Sequence, residues 1–148
     1  MMKSLKKILI LGSGQAAIYA ASEIRKHDKD SSVTIFGNEN YHPYERPPLS
    51  KEYLIDKKKE DEFLFFSKNF FDDQNINFIN KEINSVNFKN RYLISFDNDK
   101  YFYDKLLITT GSTNRKIEID KEIDNEIYYL RNLDDANKIK KKASEVNN

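Results

Sequence analysis

KKILILGSGQAA, residues 6–17, opens with a short apolar run that stops at a glycine. Four consecutive aliphatic residues closed by Gly12 read as a parallel strand buried on both faces. The next stretch, GQAAIYAASEIRKHD, reads as a helix with Ala17, Ala20, Ala21 and Ile24 on one face. SVTIFG, residues 32–37, is a second strand rich in β-branched and aromatic residues. Strand, helix and strand within some thirty residues make a βαβ unit, whose crossover is expected to be right-handed.

Within that unit GSGQAA, residues 12–17, matches G-x-G-x-x-G/A. Alone the pattern is weak; between a strand and a helix, with a second strand following, it stands in the context that dinucleotide binding requires. Gly12 permits the sharp turn, Gly14 lets backbone approach a pyrophosphate at the helix N-terminus, and Ala17 keeps the helix close to the strand. Glu39, 25 positions after Gly14, follows the second strand with Asn38 beside it, where an acceptor for ribose hydroxyls is expected. All four glycines (Gly12, Gly14, Gly37 and Gly111) close a predicted strand or open this loop, whereas turns elsewhere use Asn and Asp. Glycine is kept where a side chain would obstruct something.

The 148 residues suffice for one domain with its own core. Charged residues are 33% of the chain, yet the net charge is +1, so there is no long-range field for nucleic acid. With no Cys and only His27 and His42, disulfide, dithiol and histidine-metal chemistry are not expected. The apolar run at residues 8–11 is too short for a secretory signal, and nothing approaches the roughly 20 apolar residues of a membrane span. The expected location is cytoplasmic, with no nucleic-acid or membrane partner.

All three prolines fall within YHPYERPPLSKEYL, residues 41–54, which reads as a stiff extended connector. DKKKEDE, residues 56–62, reads as solvated, and SKNFFDDQN as a short helix capped by Ser67, with Phe70 and Phe71 in the core. Three β-like runs follow at 76–80, 83–88 and 91–96, and residues 101–111 contain a further buried strand ending at Gly111. RNLDDANKIKKKASEV spaces Leu133, Ala136, Ile139, Ala143 and Val146 as an amphipathic helix.

Taken with YDKLLITTG and YYLRNLDDA, the glycine loop and the proline segment resemble one family. The chain looks like the N-terminal FAD-binding part of the ferredoxin-reductase type of FAD/NAD(P)H oxidoreductases. These are flavoproteins of electron transfer that include rubredoxin and putidaredoxin reductases and apoptosis-inducing factor. They read approximately G-x-G-Q-A-A, P-Y-x-R-P-P-L-S-K, Y-D-K-L-L-x-A-T-G and L-R-T-L-x-D-A, and all four landmarks occur here in order. The implied fold is α/β: a Rossmann-like FAD-binding domain with a parallel sheet and a small antiparallel β-meander, incomplete relative to the family. The expected boundaries are 1–131 for the FAD-binding portion and 132–148 for a helix leading to an NAD(P)H-binding domain.

By the same resemblance Gly12, Ser13, Gly14, Gln15 and Ala16 surround the pyrophosphate, and Asn38 or Glu39 meets the adenosine ribose. Ile83 falls where relatives place backbone contacts to adenine, and Thr109, Thr110 and Gly111 line the cofactor. Lys51 would lie near the isoalloxazine as the catalytic cation, stabilising negative charge there. Arg46 would face the cofactor, near its phosphates or as a support for the loop, and Arg131 would approach from the far side. Asp104 reads as structural; Tyr44 and His42 receive no role. Asn38 stands where many relatives carry Asp, Thr109 replaces Ala, a proline usual near Asn114 is missing, and one residue is lost between Asn80 and Ile83.

The resemblance also implies a second glycine-rich βαβ unit for NAD(P)H, a returning segment that completes the FAD domain, and an interface domain. None of these is found within the 148 residues, so the chain alone is expected to lack NAD(P)H-dependent turnover. Its partners would be a complementary chain carrying those parts and a ferredoxin-like acceptor; an unfinished sheet edge would favour such association. The alternatives are a stand-alone FAD or adenine-nucleotide binding module, or a truncated non-functional product. The lack of cysteine argues against the dithiol branch of the superfamily.

Overall fold

The computed structural model describes residues 5–118 and 127–146. Residues 119–126, and the outermost ends of the predicted segments 1–131 and 132–148, lie outside them. The described residues form two compact units, one from those up to Tyr44 with Phe65–Gly111, the other from Glu45–Leu64 with those from Ser112 onward.

The first unit is built on a four-stranded parallel sheet of order β3-β2-β1-β7, from β1 (Lys7–Leu11), β2 (Ser32–Gly37), β3 (Ile76–Asn80) and β7 (Lys105–Ile108). Helix α1 (Gln15–His27) crosses from β1 to β2. Side chains alternate between two apolar layers, as the pleat requires. Ile10, Val33, Ile35 and Ile76 pack with Ala17, Ile18 and Ala21 of α1 and with Phe70 and Phe71 of the short helix α2 (Phe70–Asp73). Leu9 and Phe36 pack on the opposite face with Leu93 and Tyr103. That second layer belongs to an antiparallel meander of β4 (Ile83–Asn87), β5 (Tyr92–Ser95) and β6 (Lys100–Phe102). Coverage on both faces explains why β1 and β2 are nearly continuous apolar runs. Each wholly buried aliphatic contributes about 1.5–3 kcal/mol.

Arg25 is buried on the last turn of α1, at 2% exposure. Its guanidinium donates to the carbonyl oxygens of Gln74, Asp28, Ser31 and Asn75 at 2.7–3.0 Å. One side chain therefore ties the end of α1 to the entries of β2 and β3, its charge met by carbonyl dipoles. Lys81, between β3 and β4, pairs with Asp99 at 2.5 Å and Asp97 at 3.1 Å. The hydrogen bond that Lys81 Nζ donates to Asp99 raises the Lys81 pKa, and the same bond holds the Asp99 carboxyl below its usual range.

Two local expectations are corrected, and the β-like runs are assigned to their sheets. Ser67 does not cap α2: the helix starts at Phe70 after Asn69 and has no side-chain cap, while the Ser67 carbonyl accepts from Phe70 N–H. The run at 76–80 joins the parallel sheet beside β2, and the meander takes its third strand from residues 100–102. Residues 101–111 hold the end of β6 and all of β7, separated at Tyr103 and Asp104, and β7 is largely exposed where a buried strand is expected. Asp104 causes the break: it exchanges bonds with Lys7, accepting on its carboxylate at 2.8 Å and donating its own N–H at 2.9 Å.

The second unit is small. Pro47–Ser50 and Glu60–Phe63 form single 3-10 turns, and Leu49, Tyr53 and Phe63 are buried. Helix α3 (Leu133–Val146) begins with a reciprocal cap: Asn132 Oδ1 accepts from Asp135 N–H, and Asp135 Oδ2 accepts from Asn132 N–H. Leu133 and Ala136 are wholly buried. Tyr53 donates to Asn137 Oδ1 at 2.6 Å, and Lys140 lies over its ring while pairing with Asp56.

Candidate functional site

The parallel strands of the first unit all end at the same edge of the sheet, and the chain order reverses between β1 and β7. Such a switch point leaves a crevice outside the carboxyl ends of the strands, where α/β sheets take ligands. The Gly12–Gly14 loop occupies that position and is pinned from both sides. Gly12 donates to Phe36 O at 2.8 Å; Thr109 donates to Leu11 O through its N–H at 2.7 Å and through Oγ1 at 3.1 Å.

Gly12 is required twice over. Its φ of +107° is a region L-residues rarely adopt, and a Cβ there would lie 2.3 Å from the Thr109 carbonyl oxygen. Gly37, ending β2, has a different reason: a Cβ would lie 2.5 Å from Ser13 Oγ and 3.1 Å from Phe78. Gly14 contrasts with both, because a Cβ there meets nothing within 4 Å. Gly14 caps α1 in extended backbone without a side-chain cap, and the first turn holds no acid. The first turn of α1 is thus left without a side-chain cap, beside a space at Gly14 that no other atom fills. This chemistry fits a diphosphate.

The first unit thus brings Gly12, Ser13 and Gly14 together with Thr109 and Thr110, and carries Gln15 and Ala16, both exposed, on the opening turn of α1. Asn38 and Glu39 follow Gly37 directly, Asn38 exposed and Glu39 half-buried. Gly111 takes a φ of +70° after Thr110. Ile83 opens β4 beside a β-bulge and packs against the meander-side core. Among residues without a role in the sequence reading, Tyr44 emerges: its hydroxyl donates to Glu39 Oε2 at 2.5 Å. A tyrosine five positions past an acid is no motif, so only the fold reveals the pair.

The second unit holds Arg46, Lys51 and Arg131. Arg46 donates to the Arg131 carbonyl at 2.6 Å, and the two line a recess of about 160 Å³ with Leu49, Ser50 and Leu130. Lys51 is exposed, its N–H bonded to Pro48 O at 3.0 Å. Arg131 N–H donates to Asp135 at the start of α3. Among the described residues there is no cluster of His, Cys, Asp and Glu able to hold a metal ion, and no helix is long and apolar enough to cross a membrane.

Residues 6–147 match the family model described as pyridine nucleotide-disulphide oxidoreductase. The chain is 35% identical over 133 residues to the ferredoxin–NAD(+) reductase component of a 3-phenylpropionate/cinnamic acid dioxygenase from Photorhabdus laumondii, covering 89% of this chain and 34% of that protein. The crystal structure of NADH:rubredoxin oxidoreductase from Clostridium acetobutylicum superposes with a TM-score of 0.84 at 32% identity, over 96% of this chain and 36% of that one. A covalent putidaredoxin reductase–putidaredoxin complex gives a TM-score of 0.87 at 25% identity, over 95% and 34% respectively. The chain spans about a third of the length of these relatives. The relatives named here are a ferredoxin reductase, a rubredoxin oxidoreductase and a putidaredoxin reductase, and this chain belongs to the pyridine nucleotide-disulphide oxidoreductase family.

Proposed function

We propose that this chain is the FAD-binding part of an NAD(P)H-dependent oxidoreductase of the ferredoxin-reductase type. The observation that carries the reading is the glycine loop pinned between the ends of β2 and β7, with open space where a Gly14 side chain would be. Backbone N–H groups of Ser13, Gly14, Gln15 and Ala16 would hold the diphosphate, and Gly12 would shape the turn. Glu39, with Asn38 beside it, would take the adenosine ribose; Ile83 would offer backbone to adenine; Thr109, Thr110 and Gly111 would line the cofactor.

In the second unit Arg46, Lys51 and Arg131 are the cations proposed to serve the cofactor, with Lys51 as the group that offsets negative charge on the ring system. Arg46 bonded to the Arg131 carbonyl supports a bracing role for its guanidinium. The chemistry FAD would supply is acceptance of a hydride from a nicotinamide and onward release of single electrons. An iron–sulfur protein of the ferredoxin kind is the proposed acceptor.

The 148 residues hold a single glycine-rich turn of this type, so a nicotinamide nucleotide would be handled by a further domain beyond α3, on the same chain or a complementary one. The exposed Leu107 and Ile108 on β7, which among the described strands pairs only with β1, support such an addition.

The test is an absorbance titration with FAD followed by gel filtration. Flavin bands that co-elute with the parent and are lost in Gly14→Val, whose helix content by circular dichroism is unchanged, are the expected result. Equal retention by the variant would overturn the proposed site. NADH added to the loaded chain alone should bleach the flavin negligibly. Fast, saturable bleaching would show that these residues already hold a nicotinamide site. Tight FAD without turnover alongside any complementary chain would favour a stand-alone binding module, and a colourless protein a non-functional product.

A further inference from the structure

We propose that Tyr44 is the positioning residue for the adenosine-ribose contact, acting through Glu39. This rests on the reading of the first unit as a dinucleotide site and adds a residue to it. Tyr44 is buried, at 6% exposure, and a buried phenol must find an acceptor for its O–H. It finds Glu39 Oε2 at 2.5 Å. Glu39 lies two residues past the end of β2, half-buried on a bend, and the phenol restricts the rotamers of its flexible side chain.

The tyrosine is itself held in place. Pro43, buried and fixed in φ, accepts from Phe65 N–H on its carbonyl at 3.1 Å, which sets the backbone leading into Tyr44. The Tyr41 ring meets the Tyr44 ring edge-on, with centroids 6.2 Å apart and planes at 87°. The loop from β2 therefore turns back on itself, and its far end grips the carboxylate presented at its near end. A carboxylate accepts several hydrogen bonds over two oxygens, so the phenol orients Glu39 without exhausting its capacity for ribose hydroxyls.

The geometry also assigns a use to the first proline of the segment at residues 41–54. Pro43 belongs to the ribose end of the site, through Tyr44, whereas Pro47 and Pro48 shape a 3-10 turn in the second unit. Tyr44→Phe removes one oxygen and keeps the packed ring, which separates the hydrogen bond from the burial.

The experiment compares ADP with 2′-deoxy-ADP by calorimetry on the parent chain, Tyr44→Phe, Glu39→Gln and the double variant. The parent should prefer ADP by about tenfold, as expected for a hydrogen bond to a charged acceptor. Tyr44→Phe should cut that preference to about threefold or less while leaving 2′-deoxy-ADP affinity within about twofold of the parent. Glu39→Gln should abolish the preference, and the double variant should match Glu39→Gln alone. Equal losses for both nucleotides in Tyr44→Phe, or an unchanged preference, would overturn the proposal while leaving the glycine cradle standing. Should Tyr44→Phe not fold, a parent that binds ADP and 2′-deoxy-ADP equally, or a Glu39→Gln variant that keeps the parent's preference, would overturn it. A parent that binds neither nucleotide would remove the dinucleotide reading and this proposal together.

Discussion

Strands β2 and β7 lie on either side of β1, in parallel register with it; both are short apolar runs, β2 ending on Gly37 and β7 leading through Thr109 and Thr110 to Gly111. Their surroundings differ completely. Val33, Ile35 and Phe36 of β2 are at most 1% exposed, covered by α1 on one face and the meander on the other. In β7 Leu107 is 37% and Ile108 50% exposed, and Leu107 borders a groove of about 480 Å³ beside Ala20 and Ile24 of α1. The two sequences are written for the same burial, and only one of them obtains it within the described residues. An apolar strand is thus a statement about the sheet for which it evolved, and the relatives here are about three times longer.

The largest effect that tests this contrast is expected in β2. Ile35→Ala should destabilise the chain by about 3 kcal/mol, since it empties a wholly buried site between two covered layers. Urea unfolding would measure it, and a loss below about 1 kcal/mol would mean that β2 is not the core strand described. The paired change in β7, Leu107→Ser with Ile108→Thr, should cost less than about 0.5 kcal/mol. It should also lower any self-association seen by light scattering, because it blunts an exposed apolar edge. A cost equal to that of Ile35→Ala would erase the distinction between the strands.

The smallest effect concerns the exposed meander. Lys81 holds the Asp99 carboxyl below its usual pKa, so this pair contributes stability once the pH is above the ordinary carboxylate value. That contribution is lost as the pH falls through the depressed pKa of the folded state. Asp99→Asn should therefore lower the melting temperature slightly at neutral pH and match the parent in strong acid. An equal shift at both extremes would assign the effect to packing rather than charge.

Much of the first unit was legible because its signals are local. The apolar run, the glycine loop and Ser32–Gly37 predict β1, α1 and β2 with few errors, and residues 76–80 emerge as a strand at the stated limits. Legibility failed where the cause lies far along the chain. Nothing in YFYDKLLI marks the break between β6 and β7; it arises from bonds between Asp104 and Lys7. The burial of Arg25 is equally opaque, since three of its four carbonyl partners lie at the entries of other strands. At the candidate site the backbone positions were readable from glycine spacing, while Tyr44 was not, its partner being specified by a loop that folds back on itself. In the LDDA stretch the Asn132–Asp135 cap gives Asp135 its use: it closes the opening turn of α3.

The seating of Gly12 beneath Thr109 has a mechanical outcome. Residues 98 positions apart in sequence, Leu11 and Thr109, are latched at the floor of the cradle itself. An anion gripped there would act as a rivet through the first and last strands of the sheet, so loading and cohesion become one equilibrium. Cofactor concentration would then set the melting temperature of the parallel sheet by mass action, rising with the logarithm of ligand in excess.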